Sequence, residues 1–389
     1  YSQTGDAGGD NTMVQGVINI PLIEDQLAVR AVAYRFENSG YIDNVAASQP
    51  SARITAAVND ADKGAVAEDK GDRGSDEYTG FRLTTLWKPT DALDITLGYL
   101  HQEIDQDGWP EIDLNLTGDY QQRVLNTGLN GSSDELLGIE TDITSLVVNY
   151  DLGWASITSA SSWIQHDSIS EQDSTFNFWG GIPVFYDNSG SVDVFAEEFR
   201  VSSQLDGSLQ FVTGLYYENR QTDRHALAAW SGEAAQTPVD LPISTFDTLK
   251  ETKQFAWFGE LTYAITEQLS ATVGARHFDY EQEDLKSFSF AGNVSYTDRP
   301  FTIEETGQSY KAVVSYTLNE DSLFYAQWSE GFRLGAGGFQ SSACNAVLPE
   351  AFIVPDVNSD TSENIEVGAK TSFADNRITF NASLFRVNW

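Results

Sequence analysis

The chain has 389 residues, of which 41% are hydrophobic, 12% aromatic and 21% charged, and this composition excludes an intrinsically disordered protein. Acidic residues outnumber basic ones by 58 to 22, and the net charge of −36 excludes nucleic acid as a partner because it repels phosphate backbones. A single cysteine, Cys344, excludes an internal disulfide and a cysteine-based zinc site. The excess of acid either attracts metal cations or only keeps the protein soluble in a salty habitat.

Period-two alternation of side chains predicts β-strands along the whole chain. Residues 17–36 (VINIPLIEDQLAVRAVAYRF) contain two apolar-rich runs on either side of an acidic break. In LDITLGYLHQE (residues 93–103), Leu97 and Tyr99 fall on one face and Gly98 on the other, because successive side chains of a strand point to opposite faces. The same alternation recurs in residues 209–220, 269–280, 363–370 and 377–385. No amphipathic helix of three turns is predicted, and no apolar run reaches the ~18–20 residues of a membrane helix.

Short and long connections alternate between the predicted strands. Seven tight hairpin turns are predicted at residues 24–26, 90–92, 151–153, 205–208, 266–268, 319–321 and 374–376. Long polar segments separate them, at residues 43–77, 104–140, 167–191, 221–250, 284–304 and 335–360. Seven hairpins predict about fourteen strands, and Tyr1-Ser2-Gln3 is typical of the end of one more.

This asymmetry of the connections favours a transmembrane β-barrel, which has short turns at one end and long loops at the other. A backbone in lipid must pair all its polar groups, and without helices only a closed barrel does so. The apolar faces are therefore predicted to contact lipid. Aromatic residues near the strand ends fit the girdles of such barrels: Tyr34, Phe36, Trp87, Tyr99, Trp163, Tyr216, Tyr217, Tyr263 and Tyr316. A soluble all-β core is the alternative, but it leaves the alternation of turns and loops unexplained.

Three stretches resemble the TonB-dependent outer-membrane receptors of Gram-negative bacteria, of the iron-complex receptor type. Residues 14–44 resemble an early barrel hairpin, and residues 194–221 resemble the family's mid-barrel pattern of a Glu-aromatic-Arg strand followed by Gly-Leu-Tyr-Tyr. Residues 322–340 resemble the strand whose Ser-x-Gly-Phe-Arg end precedes a Gly-rich loop. The three stretches occur in order, with hairpin spacing, over essentially the whole chain.

The resemblance implies an all-β, antiparallel transmembrane barrel that is incomplete here. The family's barrel has 22 strands and follows a plug domain, whereas residues 1–389 supply about fourteen or fifteen strands and no plug. The alternative is a complete porin-like channel of about fourteen strands, suggested by the alternating end Phe385-Arg386-Val387-Asn388-Trp389. The apolar face through Phe380 and Leu384 has the opposite parity, so truncation is favoured.

The resemblance further implies a receptor in the outer membrane of a Gram-negative bacterium. Its partners would be outer-membrane lipid, the TonB complex of the inner membrane, acting through segments missing here, and a scarce nutrient ligand. An iron–siderophore complex is the default ligand of the family, and carbohydrate or cobalamin uptake remains an alternative.

No enzymatic motif is present in the sequence. Four histidines occur singly, without a zinc-binding H-E-x-x-H pair, at positions 101, 166, 225 and 277. The segment Gly335-Ala336-Gly337-Gly338 is too short for a dinucleotide fingerprint, and no helix is predicted after it. The neighbours Glu197 and Glu198 would point to opposite faces of a strand and cannot share a substrate. The sequence therefore predicts a protein that is not an enzyme.

Candidate ligand contacts are aromatic and guanidinium side chains in the external loops and the upper wall, because such groups bind sugars, siderophores and carboxylates. They are Trp109, Trp179, Trp230, Arg224, His225 and Arg333. Alternatively, the tryptophans pack loop against loop or belong to the upper girdle. No resident cofactor is predicted, although two acidic segments, 105–108 and 356–360, place oxygen ligands at alternate positions as calcium loops do. A solvated acidic loop is the simpler interpretation of both.

Overall fold

One antiparallel sheet of fifteen strands dominates the computed structural model, which describes residues 1–5, 8–59, 65–126, 134–175, 184–230, 244–290, 293–335, 357 and 359–389. With all strands numbered in chain order, the sheet contains β1 (Ser2–Gln3), β2 (Asp10–Ile23), β3 (Leu27–Asn38), β7 (Ser75–Thr90), β8 (Leu93–Asp107), β11 (Leu136–Asp151), β12 (Ala155–Asp173), β13 (Val184–Ser203), β14 (Leu209–Trp230), β15 (Ser244–Ala264), β16 (Leu269–Phe290), β17 (Asn293–Asn319), β18 (Ser322–Arg333), β19 (Asp360–Phe373) and β20 (Ile378–Asn388). Each strand pairs with its neighbours in this order, and the all-β antiparallel class is confirmed.

The remaining elements form a small cap near the ends of β7, β8 and β11. Its strands are β4 (Ile42–Val45), β5 (Val66–Ala67), β6 (Asp69–Arg73), β9 (Gln121–Gln122) and β10 (Leu125–Asn126). Helix α1 (Ala52–Val58) begins after Ser51, whose side chain accepts a hydrogen bond from the Ile54 N–H. Ala46, Ile54 and Leu125 are among the residues of the cap's own apolar core. We call these elements the cap. None of the described helices is long and apolar enough to cross a membrane.

All seven predicted hairpin turns join consecutive strands of the sheet. The predicted long loops, in contrast, are partly wrong. Residues 167–191, 221–250 and 284–304 lie mostly in strands, and β17 alone has 27 residues. These outer strand segments carry many polar residues on both faces, so the alternation that identifies a lipid-crossing strand is weak in them. The backbone pairing nevertheless continues.

The register divides the sheet into two chemically different faces. Residues directly opposite in an antiparallel pair share a face, so Leu215 on β14 joins Trp257 on β15, and Leu261 joins Val273 on β16. These side chains are large, apolar and about half exposed, with Val273 at 57%. We call this side the apolar face. The other side, the polar face, carries glycine, hydroxyl and charged residues, as predicted for a barrel that faces lipid on its outside.

Aromatic rings lie flat over glycines on the polar face. Phe258 covers Gly214 on the neighbouring strand, and Phe278 covers Gly307 in the same way. A Cβ atom at Gly214 would lie 2.5 Å from the Phe258 ring. Tyr34 with Gly80 and Tyr325 with Gly368 repeat the arrangement. Glycine at these positions lets a large ring lie along the wall instead of projecting from it.

Candidate functional site

The polar face near the short turns carries charged side chains in cross-strand and same-strand ion pairs. Lys311 on β17 contacts Glu260 on β15, with 2.8 Å between Nζ and Oε1. Arg220 and Glu218 pair along β14 at 3.2 Å. A wall of this composition is suited to a water-filled or protein-filled lumen and not to lipid.

An aromatic cluster occupies the polar face at β14–β18. The rings of Phe278 and Phe332 stack with their centroids 3.8 Å apart, and Tyr216 packs nearby. The guanidinium of Arg276 lies 5.2 Å from the centre of the Tyr216 ring. Phe332 joins the cluster from the part of β18 beyond Ser329, where the strand no longer pairs with β17 but still pairs with β19. The polar face of the sheet therefore carries several aromatic rings and a guanidinium group in contact with one another.

A buried arginine attaches the cap to the sheet. Arg73, the last residue of β6, is 1% exposed. Its guanidinium contacts Asp107 of β8 at 2.6 Å, Asp134 at 2.8 Å and Glu135 at 3.4 Å. Lys70 approaches two of the same carboxylates from the surface. Of the three acids only Glu135 is buried with the arginine, so removing the arginine would leave that carboxylate without a buried cation.

Glu135 is the carboxylate of this network with the most unusual titration. Burial raises the pKa of Glu135 to about 7. The backbone N–H groups of Asp173 and Trp109, and the Arg73 guanidinium, oppose this shift by favouring the charged form. Burial likewise raises the pKa of Asp173, which ends β12. The junction between cap and sheet therefore contains one acid, Glu135, that changes charge near neutral pH.

The described candidate residues do not form one site. Trp109 is half-buried beside Glu135, and its indole N–H is buried without a hydrogen-bond partner among the described residues. Arg224 lies on the polar face and donates to Asn188 at 3.2 Å. Its neighbour His225 points to the opposite side and hydrogen-bonds Asp247. Because they lie on opposite faces, Arg224 and His225 cannot contact the same ligand.

The other three candidates divide between strand ends and undescribed segments. Arg333 ends β18, pairs with Asp360 and lies 5.5 Å from the centre of the Trp389 ring. Trp230 ends β14, where its backbone pairs with Val184, and its side chain falls outside the described part of the structure. Trp179 also lies outside the described residues. Ligand contact by these six residues stays a prediction.

Sequence reasoning missed the groups that make the strongest described contacts. Arg73 lies in the charge-rich segment DKGDR, which has no periodicity that predicts burial. Arg276 lies in a recognised strand, and its parity did predict the polar side, whereas no face was predicted for Phe278. Only the register shows which residues surround them.

Calcium binding by the two acidic segments stays a prediction. Residues 105–107 belong to strand β8 and not to a loop, and Asp107 already accepts from Arg73 and Lys70. In the second segment, Asp356 and Asn358 lie outside the described residues, and Asp360 pairs with Arg333.

One group of the described residues has spacing that can hold a metal ion. It comprises His101, Glu140 and Asp142, whose ligand atoms lie within 4.8 Å of one another. The His101 ring nitrogen is 3.0 Å from Asp142, and the Tyr99 hydroxyl donates to the same carboxylate. All three lie on the apolar side of the sheet, and hydrogen bonding already accounts for the positions of His101 and Asp142.

Comparison with known proteins identifies similar chains and folds. A family model described as TonB dependent receptor-like, beta-barrel matches residues 30–388. The ferric yersiniabactin uptake receptor FyuA from Yersinia pestis is 16% identical with a TM-score of 0.74, over 97% of this chain and 52% of that one. The siderophore receptor PiuA from Acinetobacter baumannii is 14% identical with a TM-score of 0.62, over 97% and 55%.

A third similar structure is the ferric-catecholate import receptor Fiu from E. coli K12 in its open form. It is 16% identical with a TM-score of 0.61, over 99% of this chain and 60% of that one. At these identities the likeness concerns the fold alone. The chain spans between about half and three fifths of the length of these three structures.

Proposed function

Since the chain belongs to the TonB-dependent receptor family through its β-barrel domain, we propose that it is part of a receptor that takes up an iron–siderophore complex. Proteins of this family lie in the outer membrane of Gram-negative bacteria, and so does this chain. Its apolar face fits a lipid-facing wall, and its polar face fits the wall of a lumen. The protein is a transport receptor and not an enzyme.

The observation that carries the proposal is the match of the whole sheet to receptors for ferric siderophores. FyuA, PiuA and Fiu are described as ferric yersiniabactin, siderophore and ferric-catecholate receptors, and each covers at least 97% of this chain. The cluster of Tyr216, Arg276 and Phe278 on the polar face adds suitable chemistry. Rings and guanidinium groups contact the aromatic and anionic parts of iron chelators.

The proposed uptake needs energy from another membrane. The outer membrane has no energy source of its own, and transport against a gradient therefore requires coupling to the inner membrane. We infer that the complete receptor is driven by the TonB complex. The partner and the ligand both follow from the family and not from a contact in this chain.

Uptake of radioactive iron by the full-length receptor tests the proposal. The gene is expressed in an iron-starved strain that lacks its own siderophore receptors, and a panel of ferric siderophores is supplied. We expect uptake of at least one ferric complex that depends on both the receptor and TonB. Uptake that persists without TonB would indicate a passive channel. Transport of carbohydrate or cobalamin with no ferric complex accepted would also contradict the proposal.

A further inference from the structure

A histidine and two carboxylates converge on the apolar side of the sheet. His101 on β8 lies directly opposite Asp142 on β11, with 3.0 Å between the His101 Nδ1 and the Asp142 Oδ1. Glu140 lies two residues before Asp142 on the same side of β11, and its Oε1 is 3.9 Å from the same His101 nitrogen. One nitrogen and two oxygens from three side chains are therefore gathered around a common space, within 4.8 Å of one another.

Hydrogen bonding accounts for His101 and Asp142, but it leaves the position of Glu140 unexplained. Glu140 lies directly opposite Glu103 on β8 and directly opposite Asp167 on β12. Three carboxylates thus occupy one row across adjacent strands, where like charges repel one another. Among the described residues, no lysine or arginine forms an ion pair with any of the three. A cation bound beside Glu140 would remove this repulsion.

The spacing of the three ligand atoms fits a metal ion that takes nitrogen and oxygen together. In proteins, Zn²⁺ lies about 2.0–2.2 Å from a histidine nitrogen or a carboxylate oxygen, usually with tetrahedral geometry, so two of its ligands are about 3.0–3.5 Å apart. The distances of 3.0 Å and 3.9 Å from the His101 Nδ1 to the two carboxylates bracket this range. Glu140 is exposed, so its side chain can adjust to bring the longer distance into the range.

Neighbouring groups support such a site from outside the three ligands. The Tyr99 hydroxyl donates a hydrogen bond to Asp142, and a bond of this kind holds a ligand carboxylate in its orientation. Glu103, opposite Glu140, is exposed on the same side and can supply a fourth ligand. Glu103, Glu140 and Asp167 line one open groove of about 530 Å³, through which a hydrated ion can enter.

We propose that His101, Glu140 and Asp142 bind a divalent transition-metal ion, with Zn²⁺ as the expected ion and Glu103 as its fourth ligand. The histidine nitrogen determines the class of metal, because Ca²⁺ and Mg²⁺ prefer sites made of oxygen alone. The site lies on the side of the sheet opposite the proposed lumen, so the ion is a resident part of the wall and not cargo. By joining β8 to β11, the ion stabilises the folded sheet and neutralises the row of carboxylates.

Calorimetric titration of the full-length receptor with ZnCl₂ tests the site. The receptor is purified in detergent and stripped of metal with EDTA before the titration. His101→Gln removes the imidazole but keeps an amide that can donate to Asp142, and Glu140→Gln removes one anionic ligand. We expect each variant to bind Zn²⁺ at least about tenfold more weakly than the wild type does. The wild type should bind Ca²⁺ at least about a hundredfold more weakly than Zn²⁺.

His166→Gln serves as the matched control, because His166 lies on the polar face of β12, where its ring is hydrogen-bonded to Thr141. Its affinity for Zn²⁺ should equal that of the wild type. Unchanged Zn²⁺ binding in His101→Gln would overturn the inference, and so would a wild type that binds no Zn²⁺. Equal affinities of the wild type for Ca²⁺ and Zn²⁺ would also overturn it, because the binding would then belong to the acidic surface in general.

X-ray absorption at the zinc edge tests the ligands without depending on the folding of a variant. The spectrum of the zinc-loaded wild-type receptor should show an imidazole nitrogen together with carboxylate oxygens at about 2.0–2.2 Å. The imidazole signal should disappear in His101→Gln and remain in His166→Gln. A wild-type ion surrounded by oxygen alone would contradict the assignment of His101 as a ligand.

Discussion

At the scale of single residues, the glycines beneath aromatic rings make a testable contribution to stability. In Gly214→Ala, the new Cβ would lie 2.5 Å from the Phe258 ring and 2.6 Å from the Phe199 carbonyl oxygen. The ring can shift but the backbone cannot, so we expect a loss of about 1–3 kcal/mol, as for other overpacked sites. The measurement is the denaturation midpoint of the full-length receptor in detergent.

Gly16→Ala is the matched control for this glycine. Gly16 also lies within a strand, but a Cβ there would meet nothing within 4 Å. The control should retain or slightly raise the midpoint, because alanine loses less backbone entropy on folding. Similar midpoints for the two variants would show that the ring does not require glycine beneath it.

The buried Arg73 predicts a second residue-scale effect. Arg73→Met leaves Asp107, Asp134 and Glu135 without their buried cation, and we expect the cap to lose about 3–5 kcal/mol. Lys70→Met removes a cation from two of these carboxylates. Because Lys70 is substantially exposed, the cap should lose only about 1 kcal/mol of stability or less. Hydrogen exchange of β4, β6 and β9 measures both. Equal protection in the two variants would contradict the network described for Arg73.

Glu135 predicts how the cap responds to pH. Its pKa of about 7 in the folded protein exceeds the value of 4.5 for an unperturbed glutamate. The folded cap therefore binds this proton more tightly than the unfolded chain does. This contribution to stability is complete below pH 4.5 and is lost as the pH rises through 7, at a cost of about 3 kcal/mol or less.

The measurement is cap exchange rate against pH, corrected for the intrinsic rate, in wild type and Glu135→Gln. As the pH rises from 5 to 8, the corrected exchange rate of the wild-type cap should increase. The exchange rate of the variant's cap should depend less on pH. Identical profiles would exclude Glu135 as the titrating group.

At the scale of elements, the turns were predictable and the outer strand ends were not. A turn such as 205–208 has a local signal, because polar residues and glycine interrupt an alternating pattern. The outer part of β17 has no such signal, since a strand with water on both sides needs no apolar residues. Its pairing with β16 follows from the register of the neighbouring strands, and that register is not local in sequence.

The short turns and the long connections are expected to lie on opposite sides of the membrane. In a Cys344→Ser background, Asp206→Cys places a thiol in a short turn, and Leu114→Cys places one in a long connection where Leu114 is 87% exposed. A membrane-impermeant maleimide should label residue 114 in intact cells and residue 206 only after permeabilisation. Labelling of both in intact cells would contradict the orientation.

At the scale of the whole molecule, the two faces were predictable from parity, but the site was not. Parity placed Arg276 on the polar side from the sequence alone, because the alternation continues through residues 269–276. It could not place Phe332, whose ring stacks on Phe278 of the polar face although its parity along β18 assigns it to the apolar face. Arg224 and His225 were chosen for their chemistry as residues of the loops and the upper wall. The structure places both in strand β14, where adjacent residues face opposite sides of the sheet.

Because lipid is assigned to the apolar face, a charge introduced there should destabilise the protein more than a charge introduced at the neighbouring position on the polar face. Val273 is half exposed on the apolar face, and Thr272 lies beside it on the polar face, where it hydrogen-bonds Thr262 at 2.8 Å. Val273→Arg places a charge in hydrocarbon, which costs about 2–4 kcal/mol near the middle of the bilayer. Thr272→Arg loses one hydrogen bond of about 1 kcal/mol, and its new charge stays in the polar lumen. Folding titrations of the full-length receptor into lipid vesicles should therefore show the larger loss for Val273→Arg. The reverse order would place lipid on the face that carries Thr272.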